Sequence, residues 1–134
     1  MLQNFPVLYY LLGSTLLYWV MLLFSSLAHS RGYTVAGFLL AVGNRDNMPD
    51  RNAFMARADR AAKNMAENLL IFAIVALAAV VVGGQRDLAL LGAQIFFFAR
   101  IVYWPLYLAG VPYVRTAIWG VALAGVGLIV VSML

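Results

Sequence analysis

Four polar side chains, Arg57, Arg60, Asn64 and Glu67, follow one another at steps of three, four and three in the stretch RADRAAKNMAENLLIFAIVALAAVVV. On an α-helix that spacing puts all four on one face. A second set, Arg100, Tyr103 and Tyr107, also recurs at helical spacing, with Arg115 just beyond it. Guanidinium groups grip carboxylates with two parallel hydrogen bonds. Glu67 accepts from an ammonium, Asn64 both donates and accepts, and the tyrosines offer hydroxyls. Together the two sets suit a zwitterionic ligand with more than one carboxylate. The spacing is equally compatible with a set of internal pairs. Glu67 would then meet Arg100 across two helices, Lys63 would meet Glu67 within one, and Arg57 would reach lipid phosphate.

The surroundings sharpen the question. The run that follows Asn68 is apolar, so the lower part of the polar face must sit at or inside a membrane boundary. An ionisable group there costs about 2.5–3.5 kcal/mol, which makes each one a functional hypothesis. The 134-residue chain is 65% hydrophobic and 10% charged, against roughly 25% charged residues in a soluble domain. The lipid bilayer is therefore the expected solvent. There is no cysteine, which excludes disulfides, thiolate metal sites and a cysteine nucleophile. Any thiol chemistry must use a thiol carried by a ligand. With one histidine, an all-protein zinc site is not expected either. The net charge of +4 is gathered near one membrane face, which fits orientation in a bilayer rather than binding to nucleic acid.

The elements that must position these residues are four spanning helices, over approximately 5–28, 57–82, 88–109 and 116–133, in one domain of 134 residues. Leu2 to Ala28 carries no charged residue and lacks the basic start and small-residue cleavage site of a signal peptide. Tyr9 and Tyr10 suit an interfacial aromatic belt. The loop 29–56 is long, and within it Tyr33 to Val42 is too short to cross. That segment reads as an interfacial helix or an extension of the first span. Asp50 or Asn52 is placed to cap the second helix, and Gly83-Gly84 to end it. The third span carries Pro105 beside its polar face. Gly110 to Arg115 reads as the last loop. Ala117, Gly120, Ala124 and Gly127 form a small-residue stripe suited to close helix packing. Arg31, Arg45, Arg51, Arg57, Arg60 and Lys63 cluster in and after the first loop. The positive-inside rule then puts loops one and three in the cytoplasm and both termini outside.

At this level of detail the chain resembles the MAPEG family, the membrane-associated proteins of eicosanoid and glutathione metabolism. The likeness rests on R-x-x-R-x-x-x-N-x-x-E from Arg57 to Glu67 ahead of an apolar run with Phe72. It rests also on Ala99-Arg100-Ile101-Val102-Tyr103, followed by Tyr107, Gly110 and Arg115. The resemblance implies an all-α membrane protein: a left-handed four-transmembrane-helix bundle, assembled as a homotrimer. It implies glutathione as co-substrate, held between subunits by Arg57, Arg60, Asn64, Glu67, Arg100, Tyr103 and Tyr107, with Arg115 stabilising the thiolate. The expected activity is that of a transferase or peroxidase acting on apolar electrophiles or lipid hydroperoxides. The alternative is a non-catalytic subunit of a membrane complex that keeps the same fold. The G-N-R-D loop looks like that of bacterial members, which implies the bacterial inner membrane. The chain departs from the leukotriene-type members at Asn68 and Ala62, and the spacing from Tyr107 to Arg115 also differs from that of the best-known transferases.

Overall fold

The computed structural model describes residues 5–134, so Leu2 to Asn4 at the start of the first apolar run lie outside it. Five helices follow in order: α1 (Val7–Ser30), α2 (Val35–Val42), α3 (Ala53–Val82), α4 (Arg86–Ala109) and α5 (Pro112–Val131). No strand occurs among the described residues. Four of the helices, α1, α3, α4 and α5, are long and apolar enough to cross a membrane. α3 has 30 residues, about 45 Å at 1.5 Å each, against a hydrocarbon core of about 30 Å. Its first turns must therefore stand among headgroups, where the charges of its amino-terminal half are tolerated.

Local chemistry sets the ends. Asn52 caps α3, its Oδ1 accepting from the Met55 amide at 2.8 Å. Gly83 stops the helix in the left-handed conformation, at φ 80°. α2 is a separate helix and not an extension of α1. The chain turns at Arg31 (φ 57°), and the Thr34 hydroxyl caps the new helix by accepting from the Gly37 amide at 3.0 Å. The last loop is shorter than the sequence suggests. Pro112 opens α5 because its missing N–H would be unpaired at a helix start anyway and its φ is already helical. Arg115 consequently sits in the first turn of α5 and not in a connection. α4 likewise begins at Arg86, two residues before the expected start, and continues unbroken through Pro105.

α1 packs on α3, and α4 packs on both α3 and α5. The core is built largely of alanine, including Ala61, Ala62 and Ala76 of α3 and Ala93 and Ala99 of α4, and the rings of Phe72 and Phe96 stack within it, 4.1 Å apart. Tyr10 is drawn inward, whereas Tyr9 is exposed. The Tyr10 ring lies edge-on to Phe97, and its hydroxyl accepts from Gln94 Nε2 at 3.1 Å. The small-residue stripe on α5 is a further difference. Ala117, Gly120, Ala124 and Gly127 are exposed in the protomer, and α5 meets α4 through the opposite face, Ala122, Gly125, Val126 and Ile129. The closest approach is glycine on glycine. A Cβ at Gly125 would stand 2.6 Å from the Gly92 carbonyl oxygen, and one at Gly92 would stand 2.4 Å from that of Gly125.

This geometry separates two classes of glycine on one helix. Gly125→Ala should destabilise the fold by about 1–3 kcal/mol, the range for inserting a methyl into a closed contact. Gly127→Ala should be near neutral for the protomer, because nothing lies within 4 Å of its Cβ position. Thermal unfolding in detergent, followed by circular dichroism, separates the two. Equal midpoints would contradict the close α4–α5 approach.

Candidate functional site

Arg100 is the most unusual side chain in the bundle. It stands nine residues before the end of α4, roughly 14 Å along the helix from its carboxyl end, and is 1% exposed. Its Nη1 donates to Asn64 Oδ1 on α3 at 2.8 Å. Its Nε and Nη2 are buried and have no partner. Among the described residues no carboxylate lies within ion-pair distance of it; the salt bridges there belong to Asp59. The guanidinium is flanked instead by aromatic rings, with Cζ 5.3 Å from the Phe96 centroid and 5.1 Å from that of Tyr103. Cation–π contacts of this kind are worth about 2 kcal/mol or more when desolvated. They do not satisfy its N–H groups.

Around this cation the two helical sets converge. Tyr103 is buried, and its ring meets Tyr107 edge-on at 5.5 Å. Tyr107 in turn lies under the Arg115 guanidinium, 4.3 Å from Cζ to the ring centroid. Asn64, Tyr103, Tyr107 and Arg115 line one open pocket of about 240 Å³, together with Thr116 and Trp119 from α5. The last two were not expected from the sequence. Trp119 Nε1 is a further buried donor without a partner. The signal that would have found it is the step of four from Arg115, which puts both on one face of α5 once the helix is known to start at Pro112. The pocket offers N–H and O–H donors to an anion and carries no carboxylate of its own.

The remaining expected residues take other places. Arg57 is half-buried, and its Nε donates at 2.8 Å to the Leu108 carbonyl oxygen, so it closes the carboxyl end of α4. Arg60 and Glu67 are exposed on the outer side of α3 and have no hydrogen-bond or ion-pair partner among the described residues. The internal pairs that spacing alone allowed therefore do not form. Lys63 bonds Asp59 at 3.2 Å rather than Glu67, and Glu67 leaves Arg100 alone. Asn68, one of the departures from the leukotriene-type pattern, is buried and donates to the Asn64 carbonyl oxygen at 2.8 Å, which braces the turn that carries Asn64. No group of three or more potential metal ligands exists among the described residues.

The charge of Arg100 is a cost to the fold. Replacing a buried ion and its partner with apolar groups of similar size is often neutral or stabilising by about 1–4 kcal/mol. The double variant Arg100→Met, Asn64→Leu should therefore melt at or above the wild-type temperature in detergent. A large fall in melting temperature would mean that Arg100 is held for structure and not for a ligand.

Residues 7–134, nearly the whole described chain, match the model of the MAPEG family. No curated protein and no solved structure gives a significant match.

Proposed function

This chain belongs to the MAPEG family, and we propose that it is a glutathione-dependent transferase or peroxidase acting on apolar electrophiles or lipid hydroperoxides. It is an integral membrane protein with four apolar helices. The observation that carries the proposal is the pair of unpartnered N–H donors on buried Arg100, beside a pocket rich in donors and free of carboxylates. A cation this far from water stays charged at least cost when a carboxylate comes to it. Glutathione brings two carboxylates, an ammonium and a thiol.

In this reading one glutathione carboxylate takes Nε and Nη2 of Arg100. Arg115 and Trp119 line the adjoining pocket, Arg115 from the first turn of α5, where the helix dipole favours an anion. Arg115 holds the thiolate, the reactive form of the thiol. The thiolate sulfur then bonds to an electrophilic carbon as that carbon's leaving group departs or its double bond opens, or it takes the outer oxygen of a hydroperoxide as the O–O bond breaks, releasing the alcohol and leaving a sulfenic acid that a second glutathione converts to the disulfide and water. The apolar partner has a route from the lipid. A groove of about 480 Å³ between α4 and α5 is lined by Ile95, Phe98, Val102, Ile118 and Val121, and Ile118 is one turn from Arg115.

Glu67 and Arg60 favour a subunit interface. Facing lipid, Glu67 would cost about 2.5–3.5 kcal/mol, so it needs cover. A homotrimer would bring the polar face of α3 and the small-residue stripe of α5 against neighbouring subunits. Glu67 would then meet the ligand ammonium and Arg60 its second carboxylate. The basic ends of α1 and α3 lie on the cytoplasmic side in this arrangement.

The test is titration of the purified protein with glutathione, combined with ultraviolet absorbance of the thiolate. Saturable binding should be lost in Arg100→Met and weakened about tenfold or more in Glu67→Ala, by loss of one charge-assisted bond of about 1.5–3 kcal/mol. The thiolate signal, but not binding, should be lost in Arg115→Ala. Binding without any thiolate signal in the wild type would favour the non-catalytic scaffold. No binding at millimolar glutathione would end the proposal.

A further inference from the structure

A second charged cleft lies on the far side of α3, within one protomer, and the chemistry above makes no use of it. It has a volume of about 270 Å³ and sits between α1, the connection after α2 and α3. Its rim carries His29, Arg45, Arg51 and Lys63 against one carboxylate, Asp59. The histidine aside, three cations face one anion.

The cations are placed by the fold. Arg45 adopts the left-handed conformation at φ 62°, which is strained for a residue with a Cβ. Its guanidinium is steered back onto α1, with Nε donating to the Ala41 carbonyl oxygen at 3.0 Å and Nη2 to Ser26 Oγ at 2.9 Å. Neither partner is an anion. His29 reaches across to the Pro49 carbonyl oxygen at 3.0 Å and ties the connection to α1. Asp59 Oδ2 alone receives both Arg51, at 3.0 Å, and Lys63, at 3.2 Å. One carboxylate oxygen thus serves two cations, and the third has no anion.

The floor of the cleft has a different character. Tyr18 and Leu22 on α1 line it two turns and one turn below Ser26. At 1.5 Å per residue the lining descends about 12 Å from the charged rim into the apolar part of the helix. Cations at the headgroup level above an apolar wall match an amphiphile with an anionic head.

We propose that this cleft binds the phosphate of an anionic phospholipid, with Arg45, Arg51 and Lys63 on the head group and an acyl chain along Tyr18 and Leu22. The site is separate from the Arg100 pocket and does not depend on how that pocket is used. An anion bound there would lock the connection between α2 and α3 to both long helices.

The test is lipid retention. Protein stripped in detergent is incubated with equal amounts of phosphatidylglycerol and phosphatidylcholine, and bound lipid is counted by native mass spectrometry. Wild type should favour phosphatidylglycerol, and Lys63→Gln and Arg51→Gln should each reduce that preference about fivefold, the effect of one basic residue near an anionic surface. Arg31→Asn is the control. It removes an exposed cation close in sequence to His29 but outside the cleft, and asparagine tolerates the same left-handed backbone. That variant should retain the wild-type preference. A second arm adds millimolar inorganic phosphate, which should displace little lipid because it lacks the chain. Equal retention of the two lipids, an equal loss in Arg31→Asn, or full displacement by inorganic phosphate would each overturn the proposal. The last would assign the cleft to free phosphate.

Discussion

A guanidinium held away from water with one neutral hydrogen-bond partner is the constraint around which the bundle is arranged. Arg100 cannot move outward along α4 without losing Asn64. It cannot lose its charge cheaply, because arginine does not deprotonate in proteins. The surrounding structure reduces the cost without removing it. Phe96 and Tyr103 lend their ring faces, Asn68 fixes the turn beneath Asn64, and Arg57 ties the end of α4 back to α3. Two N–H groups are still left over. A fold selected for stability alone would place an apolar side chain there.

The position of α5 decides what stands beside Arg100 on its open side. Gly92 and Gly125 let the backbones of α4 and α5 touch. That contact sets the rotation of α5, which turns Arg115 over Tyr107 and brings Trp119 to the same pocket. The same rotation sends Ala117, Gly120, Ala124 and Gly127 outward. On α3 the rotation that buries Ala61, Met65 and Phe72 leaves Arg60 and Glu67 outside. Beside the Arg100 pocket the protomer thus carries an exposed polar face on α3 and an exposed small-residue face on α5.

α3 divides the polar chemistry of the molecule between two sides. On one, Asn64 faces Arg100 and a pocket of donors. On the other, Asp59 and Lys63 face α1 and a basic cleft. Both lie toward the amino-terminal end of α3, so both sit near the same membrane surface. The residues between them, Ala58, Ala61, Ala62 and Met65, are buried against the neighbouring helices and keep the two sites apart.

The sequence alone determined the class of the protein, its four apolar helices and four of the six residues that line the pocket beside Arg100, because those depend on local periodicity. A bilayer demands long uncharged runs, so the spans are visible as composition. The steps of three and four in Arg57–Glu67 and Arg100–Tyr107 define helix faces before any neighbour is known. Helix ends were legible where a cap is a single residue, as at Asn52 and Gly83, and less so at Pro112, where a turn residue is also a helix-opening residue. Partner choice was not legible. Whether Arg100 meets Glu67 or Asn64, whether Lys63 meets Glu67 or Asp59, and which face of α5 packs inward all turn on the rotation of one helix against another. A few tens of degrees exchange one neighbour for the next on a helix with 100° between residues, and only the packed alanines and the Gly92–Gly125 contact set that rotation.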